Sequence, residues 1–131
     1  MFRYFPTNYV WNLSVDLAIE SGARMGEIEE MCAPLLEASK QPDAAGTIAF
    51  RETWGRMADK LCALAEEDEA QGRMLSAGEK YNRAATYYIT CERLQGHGAA
   101  GAAGTLPKVP VHLRARVAAE PRKLPAGRNP L

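Results

Sequence analysis

A chain of 131 residues has room for one domain at most, and its 16 basic and 16 acidic side chains cancel. The cancellation hides a split: residues 1–95 carry 10 Lys and Arg against 15 Asp and Glu, whereas residues 96–131 carry 6 against 1. No run approaches the ~18 apolar residues of a membrane span, and three separated cysteines without a C-x-x-C pair argue against a disulfide framework or a zinc site.

The chain opens on an aromatic lead-in, Phe2-Arg3-Tyr4-Phe5-Pro6. Thr7 or Asn8 can cap a first helix, because their side-chain oxygens accept the orphan N–H groups of a first turn. That helix carries Val10, Trp11, Leu13, Val15, Leu17, Ala18 and Ile19 and stops near Gly22, where a left-handed residue is tolerated. Asn8, Asn12 and Asp16 interrupt this segment, so it is not a signal peptide. With Cys32, Cys62 and Cys91 each inside a helical apolar pattern, the expectation is a cytoplasmic protein with buried, reduced thiols.

A second helix starts near Gly26. Ile28, Met31, Cys32, Leu35 and Leu36 recur at the spacing of one helix face, and Pro34 predicts a kink or restart. Gln41-Pro42-Asp43 is a turn. A third, longer helix follows, with Thr47 as a candidate start and Trp54, Met57, Ala58, Leu61, Leu64 and Ala65 as its stripe. The run Glu66-Glu67-Asp68-Glu69 reads as a solvated face, since consecutive helical residues point in different directions and cannot converge on one ion. Ser76-Ala77-Gly78-Glu79 reads as a capping box opening a fourth helix, with Tyr81, Ala84, Ala85, Tyr88, Cys91 and Leu94 on its apolar face. The predicted fold class is all-α: about four helices in antiparallel hairpins over residues 1–95, with a disordered tail over 96–131. The tail holds five Gly, five Pro, eight Ala and no aromatic residue.

No G-x-S-x-G elbow, glycine-rich phosphate loop or H-E-x-x-H motif is present. The two histidines, His97 and His112, fall in the tail, where nothing would hold a general base within reach of its target. Ser14, Ser21, Ser39 and Ser76 lie near no obvious activating base. The expectation is packing and surface rather than a reaction centre, with no cofactor and no metal.

Four stretches nonetheless form a pattern: Tyr9-Val10-Trp11-Asn12-Leu13-Ser14, Gly26-Glu27-Ile28-Glu29-Glu30, Phe50 to Ala58 around Trp54, and Ser76 to Tyr88 with its small residues and paired tyrosines. Together they resemble the N-terminal helical cap of a group of bacterial and fungal α/β-hydrolases. The group includes 2,6-dihydroxypseudooxynicotine hydrolase and esterases of the fermentation-respiration-switch type. The resemblance implies a cap that covers the active site of a following catalytic domain, shapes its substrate pocket and supports homodimerisation. The Ser, Asp and His of that family's triad belong to the later domain, and no position here matches their motifs. Esters or activated ketones are the implied substrates, and Phe5, Tyr9 and Trp11 are the candidate pocket-lining residues.

The resemblance stops near Gly96-His97-Gly98. The Ala-, Arg-, Pro- and Gly-rich residues beyond it have the composition of GC-rich coding DNA read out of frame. The chain is therefore expected to be a truncated, frameshifted hydrolase product, its partner the missing catalytic domain, and to be poorly soluble or oligomeric alone. Two other readings compete. Helices three and four resemble a tetratricopeptide-type hairpin, although no ~34-residue period recurs. The basic tail would attract phosphates, but its charges are scattered and no aromatic residue is there to stack on bases, so neither a nucleic acid nor a membrane is the expected partner.

Overall fold

The computed structural model describes residues 3–94, leaving the side chains of 43 and 44 aside, and the expectations placed on 96–131 lie outside the described residues. The described residues form four α-helices and no strand: α1 (Tyr9–Glu20), α2 (Met25–Cys32), α3 (Asp43–Ala70) and α4 (Met74–Arg93). Two 3₁₀ turns, Ala33–Leu35 and Ala38–Lys40, join α2 to α3.

Local chemistry sets most of the boundaries. Asn8 caps α1, its side chain accepting the Trp11 N–H at 3.0 Å. Gly22 (φ +98°) and Gly72 (φ +76°) end α1 and α3 in the same way. In each, the glycine's N–H and that of the next residue fold back onto carbonyls of the last turn: Gly22 to Ile19 and Ala23 to Ala18, Gly72 to Glu69 and Arg73 to Asp68. An L side chain pays for that left-handed backbone, so glycine is the natural stop. Pro34 has no N–H to continue the α2 ladder, and the chain tightens there into a 3₁₀ turn.

Two predicted starts move. α3 begins at Asp43 rather than Thr47, because the extended Pro42 (ψ 143°) ends the preceding turn and the helix-favouring Ala44-Ala45 can wind at once. α4 begins at Met74, so Ser76 lies inside the first turn and does not cap it; Arg73 occupies the cap position and makes no side-chain bond there.

The core lies between the α3–α4 hairpin and a layer made of the lead-in, α1 and α2. The hairpin is antiparallel: Cys91 reaches Arg51, Tyr88 reaches Asp59 and Ser76 reaches Asp68. Phe50 and Trp54, one turn apart on α3, stack at 4.8 Å. Trp11 lies 4.9 Å from Phe50, and Tyr87 meets Trp54 edge-on at 5.5 Å. α1 therefore runs from the Phe50 end of the hairpin towards Thr86, whose hydroxyl bonds Ser21 O. Four predicted core positions face outward instead. Val10 and Leu17 lie on the outer side of α1, and Leu36 is turned out because the 3₁₀ turn advances ~120° per residue where an α-helix advances ~100°. Leu64 sits at the edge of the α3 stripe, and Cys62 is buried beside it.

Gly46 sits at a close approach between α3 and its neighbours. A Cβ there would stand 2.9 Å from the Ala38 carbonyl oxygen and 3.4 Å from Trp11 Cζ2. Gly26, on α2, has nothing within 4 Å. Gly46→Ala should cost about 1–2 kcal/mol net of its helix-propensity gain. Gly26→Ala should be neutral or stabilising by up to ~1 kcal/mol. Urea unfolding of the two variants checks the contrast.

Candidate functional site

The three residues singled out from sequence do not share a surface. Phe5 and Trp11 are core residues, 2 % exposed each and packed edge-on at 5.2 Å. Tyr9 is 66 % exposed on the other side of α1. Burial of the lead-in explains the separation: the buried Asn12 side chain accepts the backbone N–H groups of Tyr4 (2.6 Å) and Phe5 (3.1 Å), folding residues 4–5 onto the core. The Tyr4 hydroxyl then donates to Glu29 at 2.7 Å, which ties the lead-in to α2.

Two polar clusters hold the layers together. In the first, Arg83 Nε donates to both carboxylate oxygens of Glu27 at 3.1 Å, and the Tyr87 hydroxyl donates to the same carboxylate. The Arg24 N–H donates to the Tyr87 oxygen at 3.3 Å. This joins the start of α2 to the middle of α4 across a nearly dry contact, with the Arg83 side chain 9 % and that of Glu27 17 % exposed. Burial, then the Glu27 acceptor, pushes the Tyr87 phenol well above its ordinary range.

Asp68 organises the second. It was expected on a solvated face with Glu66, Glu67 and Glu69, but it is buried while Glu66 and Glu67 are exposed. Lys80, Ser76 and Arg73 all donate to its carboxylate, the last through Nε at 2.9 Å, and they hold it well below the usual carboxylate range. The signal in the sequence was the spacing Asp68, Arg73, Ser76, Lys80 around a glycine turn, which needs the turn's geometry to be legible.

Neither cluster is poised for a reaction. Ser76, Lys80 and Asp68 lie within hydrogen-bond reach of one another, Lys80 Nζ standing 2.7 Å from Ser76 Oγ. The Ser76 hydroxyl donates to Asp68, however, and Lys80, Ser76 and Arg73 hold that carboxyl well below its usual range, which makes it a poor base for the Ser76 proton. Ser14, Ser21 and Ser39 donate to carbonyls of the preceding turn, those of Val10, Leu17 and Leu36. All three cysteines are free and buried, and burial pushes the Cys32 and Cys91 thiols up to about 12, far from the thiolate a nucleophile requires. Among the described residues, no group of three or more His, Cys, Asp or Glu could hold a metal ion, and no helix is long and apolar enough to cross a membrane.

No protein-family model, curated protein or solved structure matches this chain.

The described surface also exposes large apolar side chains. Tyr9, Val10 and Leu17 protrude from α1, Ile48 and Leu64 from α3, and Met74 and Leu75 from the first turn of α4, where Leu75 is 87 % exposed. The bonds that tie α2 to the hairpin, Arg24–Glu79, Glu27–Arg83 and Glu30–Lys60, leave the hairpin tip at 70–76 outside them.

Two measurements follow from the clusters. Glu27→Ala strands a buried guanidinium and removes the Tyr87 acceptor, and should cost about 2–4 kcal/mol in chemical unfolding. Glu30→Ala breaks only the exposed bridge to Lys60 and should cost less than ~1 kcal/mol. The pH dependence of stability should fall at both ends. Cys32 and Cys91 rise from 9.0 to about 12 and Tyr4 from 10.0 to about 12, so they stay protonated in the folded chain while the unfolded chain ionises. Their contribution is complete below pH 9.0 and drains away up to about pH 12. Asp68 acts in the opposite sense: its contribution is present above 3.8 and is lost as the pH falls below that value. Urea midpoints measured across pH should show both limbs, and a flat alkaline limb would contradict the burial of the thiols.

Proposed function

We propose that this chain is the helical cap of an α/β-hydrolase, a lid that covers and shapes the active site of a catalytic domain and performs no chemistry itself. One observation carries the reading. The reactive side chains among the described residues are locked inward or neutralised, while large apolar side chains stand exposed on α1, on α3 and at the tip of the α3–α4 hairpin. Helices that are apolar on the outside as well as the inside are built to lie against another body. In this reading Met74 and Leu75, at the tip, are the contacts with the catalytic domain, and the Ser, Asp and His that hydrolyse an ester or activated ketone are supplied by that domain. The resemblance carried by residues 9–14, 26–30, 50–58 and 76–88 supports the family reading, and the composition beyond residue 96 supports a catalytic domain encoded downstream in a shifted reading frame.

The tetratricopeptide-type reading has less support. Such repeats pair two short helices within ~34 residues, whereas α3 alone has 28 residues and α4 another 20.

The test is to sequence the encoding DNA from codon 90 through the region downstream of the stop. A G-x-S-x-G serine followed by Asp and His in another frame is the expected result, and the frame-restored protein should then hydrolyse p-nitrophenyl esters while the chain described here does not. Unrelated sequence in every frame would overturn the proposal.

A further inference from the structure

Four of the five tyrosines donate their phenol to a carboxylate: Tyr4 to Glu29, Tyr81 to Glu69, Tyr87 to Glu27 and Tyr88 to Asp59. Of the four, Tyr87 alone meets a tryptophan among the described ring contacts, its ring edge-on to Trp54 at 5.5 Å. Both rings are fully buried, so the contact is dry.

The two rings differ in what can take their proton. Trp54 Nε1 is buried without a nitrogen or oxygen acceptor, and only the Cys32 sulfur stands beside it. An indole that loses an electron there keeps its proton and stays a radical cation, the form that draws an electron most strongly from a neighbour. Tyr87 is arranged in the opposite way. Burial, then the Glu27 acceptor, keeps its phenol protonated at rest, and the proton already points at a base. An oxidised phenol is a strong acid and keeps the electron deficit only if a base takes that proton at once. Glu27 is held in place for this by Arg83, whose Nε donates to both carboxylate oxygens at 3.1 Å.

We propose that Trp54, Tyr87 and Glu27 form a one-electron oxidation site, in which an electron deficit created on Trp54 by a small radical oxidant of the peroxide-derived class passes to Tyr87 while the Tyr87 proton passes to Glu27. The oxidant removes one electron from the indole. Tyr87 returns one electron to the indole radical cation, its O–H bond breaks, and the proton bonds to a Glu27 carboxylate oxygen. Trp54 is restored, and a tyrosyl radical remains beside a protonated Glu27. A small reductant such as ascorbate then gives one electron to the tyrosyl, and the proton goes back to the phenol oxygen because Arg83 favours the ionised carboxylate. Burial keeps the tyrosyl from coupling with a second chain. The site is thus a sink that spares the indole on which the core is stacked. The Glu27 cluster starts no chemistry itself; it answers an oxidation that begins at Trp54. This inference is independent of the hydrolase reading.

The experiment uses the full chain, both native and as Trp11→Phe, which leaves Trp54 as the only tryptophan. A laser pulse at the red edge of tryptophan absorption, where tyrosine is transparent, ejects an electron that dissolved oxygen takes up. Transient absorption should show the tryptophanyl band decaying as a tyrosyl band rises. Tyr87→Phe keeps the ring and removes the hydroxyl; it should lose most of the tyrosyl rise and prolong the tryptophanyl band. Glu27→Gln should slow the rise roughly a hundredfold, and deuterium oxide should slow it in the native chain, which tests the proton step even if Glu27→Gln fails to fold. Tyr88→Phe removes a neighbouring carboxylate-bonded phenol and should leave the rise unchanged. Circular dichroism checks that each variant is folded. A tyrosyl rise unaltered by Tyr87→Phe, or one indifferent to deuterium oxide, would overturn the proposal. So would decay of the tryptophanyl band without a tyrosyl product, the outcome if the electron comes from the Cys32 thiol instead.

Discussion

The stack of Phe50 on Trp54 is the contact on which the rest of the molecule depends. The two rings lie one helical turn apart on α3, 16° from parallel, and both are fully buried. Each large element finds its place against them: Trp11 brings α1, Phe5 brings the lead-in, and Tyr87 brings α4 edge-on to Trp54. Aromatic rings bury more area than any other side chain and prefer offset or edge-on contact, so one stacked pair offers several docking directions at once. The cost is one polar group. Trp54 Nε1 is buried without a nitrogen or oxygen acceptor, and only the Cys32 sulfur, a weak acceptor, stands beside it.

Around that stack, polar residues fix the register that the apolar contacts leave loose. Hydrophobic packing is non-directional and tolerates a slide of one helix past another. Glu27 does not, because a single carboxylate must receive Arg83 and Tyr87 together. Asp68 fixes the hairpin in the same manner through Arg73, Ser76 and Lys80, and Asn12 fixes the lead-in by taking two backbone donors. Glu27 therefore works as a fastener between the layers and Asp68 as one within the hairpin.

The proposed function rests on that inversion: a protein that leaves Val10, Leu17, Met74 and Leu75 outside has apolar surface with which to cover another body. The most exposed of its large apolar side chains, Leu75 and Tyr9, lie at the tip of the α3–α4 hairpin and on the outer side of α1, and Met25, Ile48 and Ile89 add others on α2, α3 and α4.

The all-helical fold was legible in the sequence because periodicity, caps and stops are local. Asn8 beside an apolar run, Gly22 after it, Pro34 inside the next and Trp54, Met57, Ala58 and Leu61 at helical spacing each act within a turn or two of the chain. What lies outside that range was decided by tertiary structure. Ser76 has the signature of a cap, yet α4 starts two residues earlier and Ser76 serves Asp68. Asp68 looks like one charge of a solvated run, yet the turn at Gly72 folds three donors over it. Phe5, Tyr9 and Trp11 look like one aromatic group, yet Asn12 pulls the first into the core beside the third and leaves the second outside. Periodicity states which residues share a helix face; only the packing of one helix on another states which of two apolar faces is covered, because burial is a property of the neighbour and not of the helix.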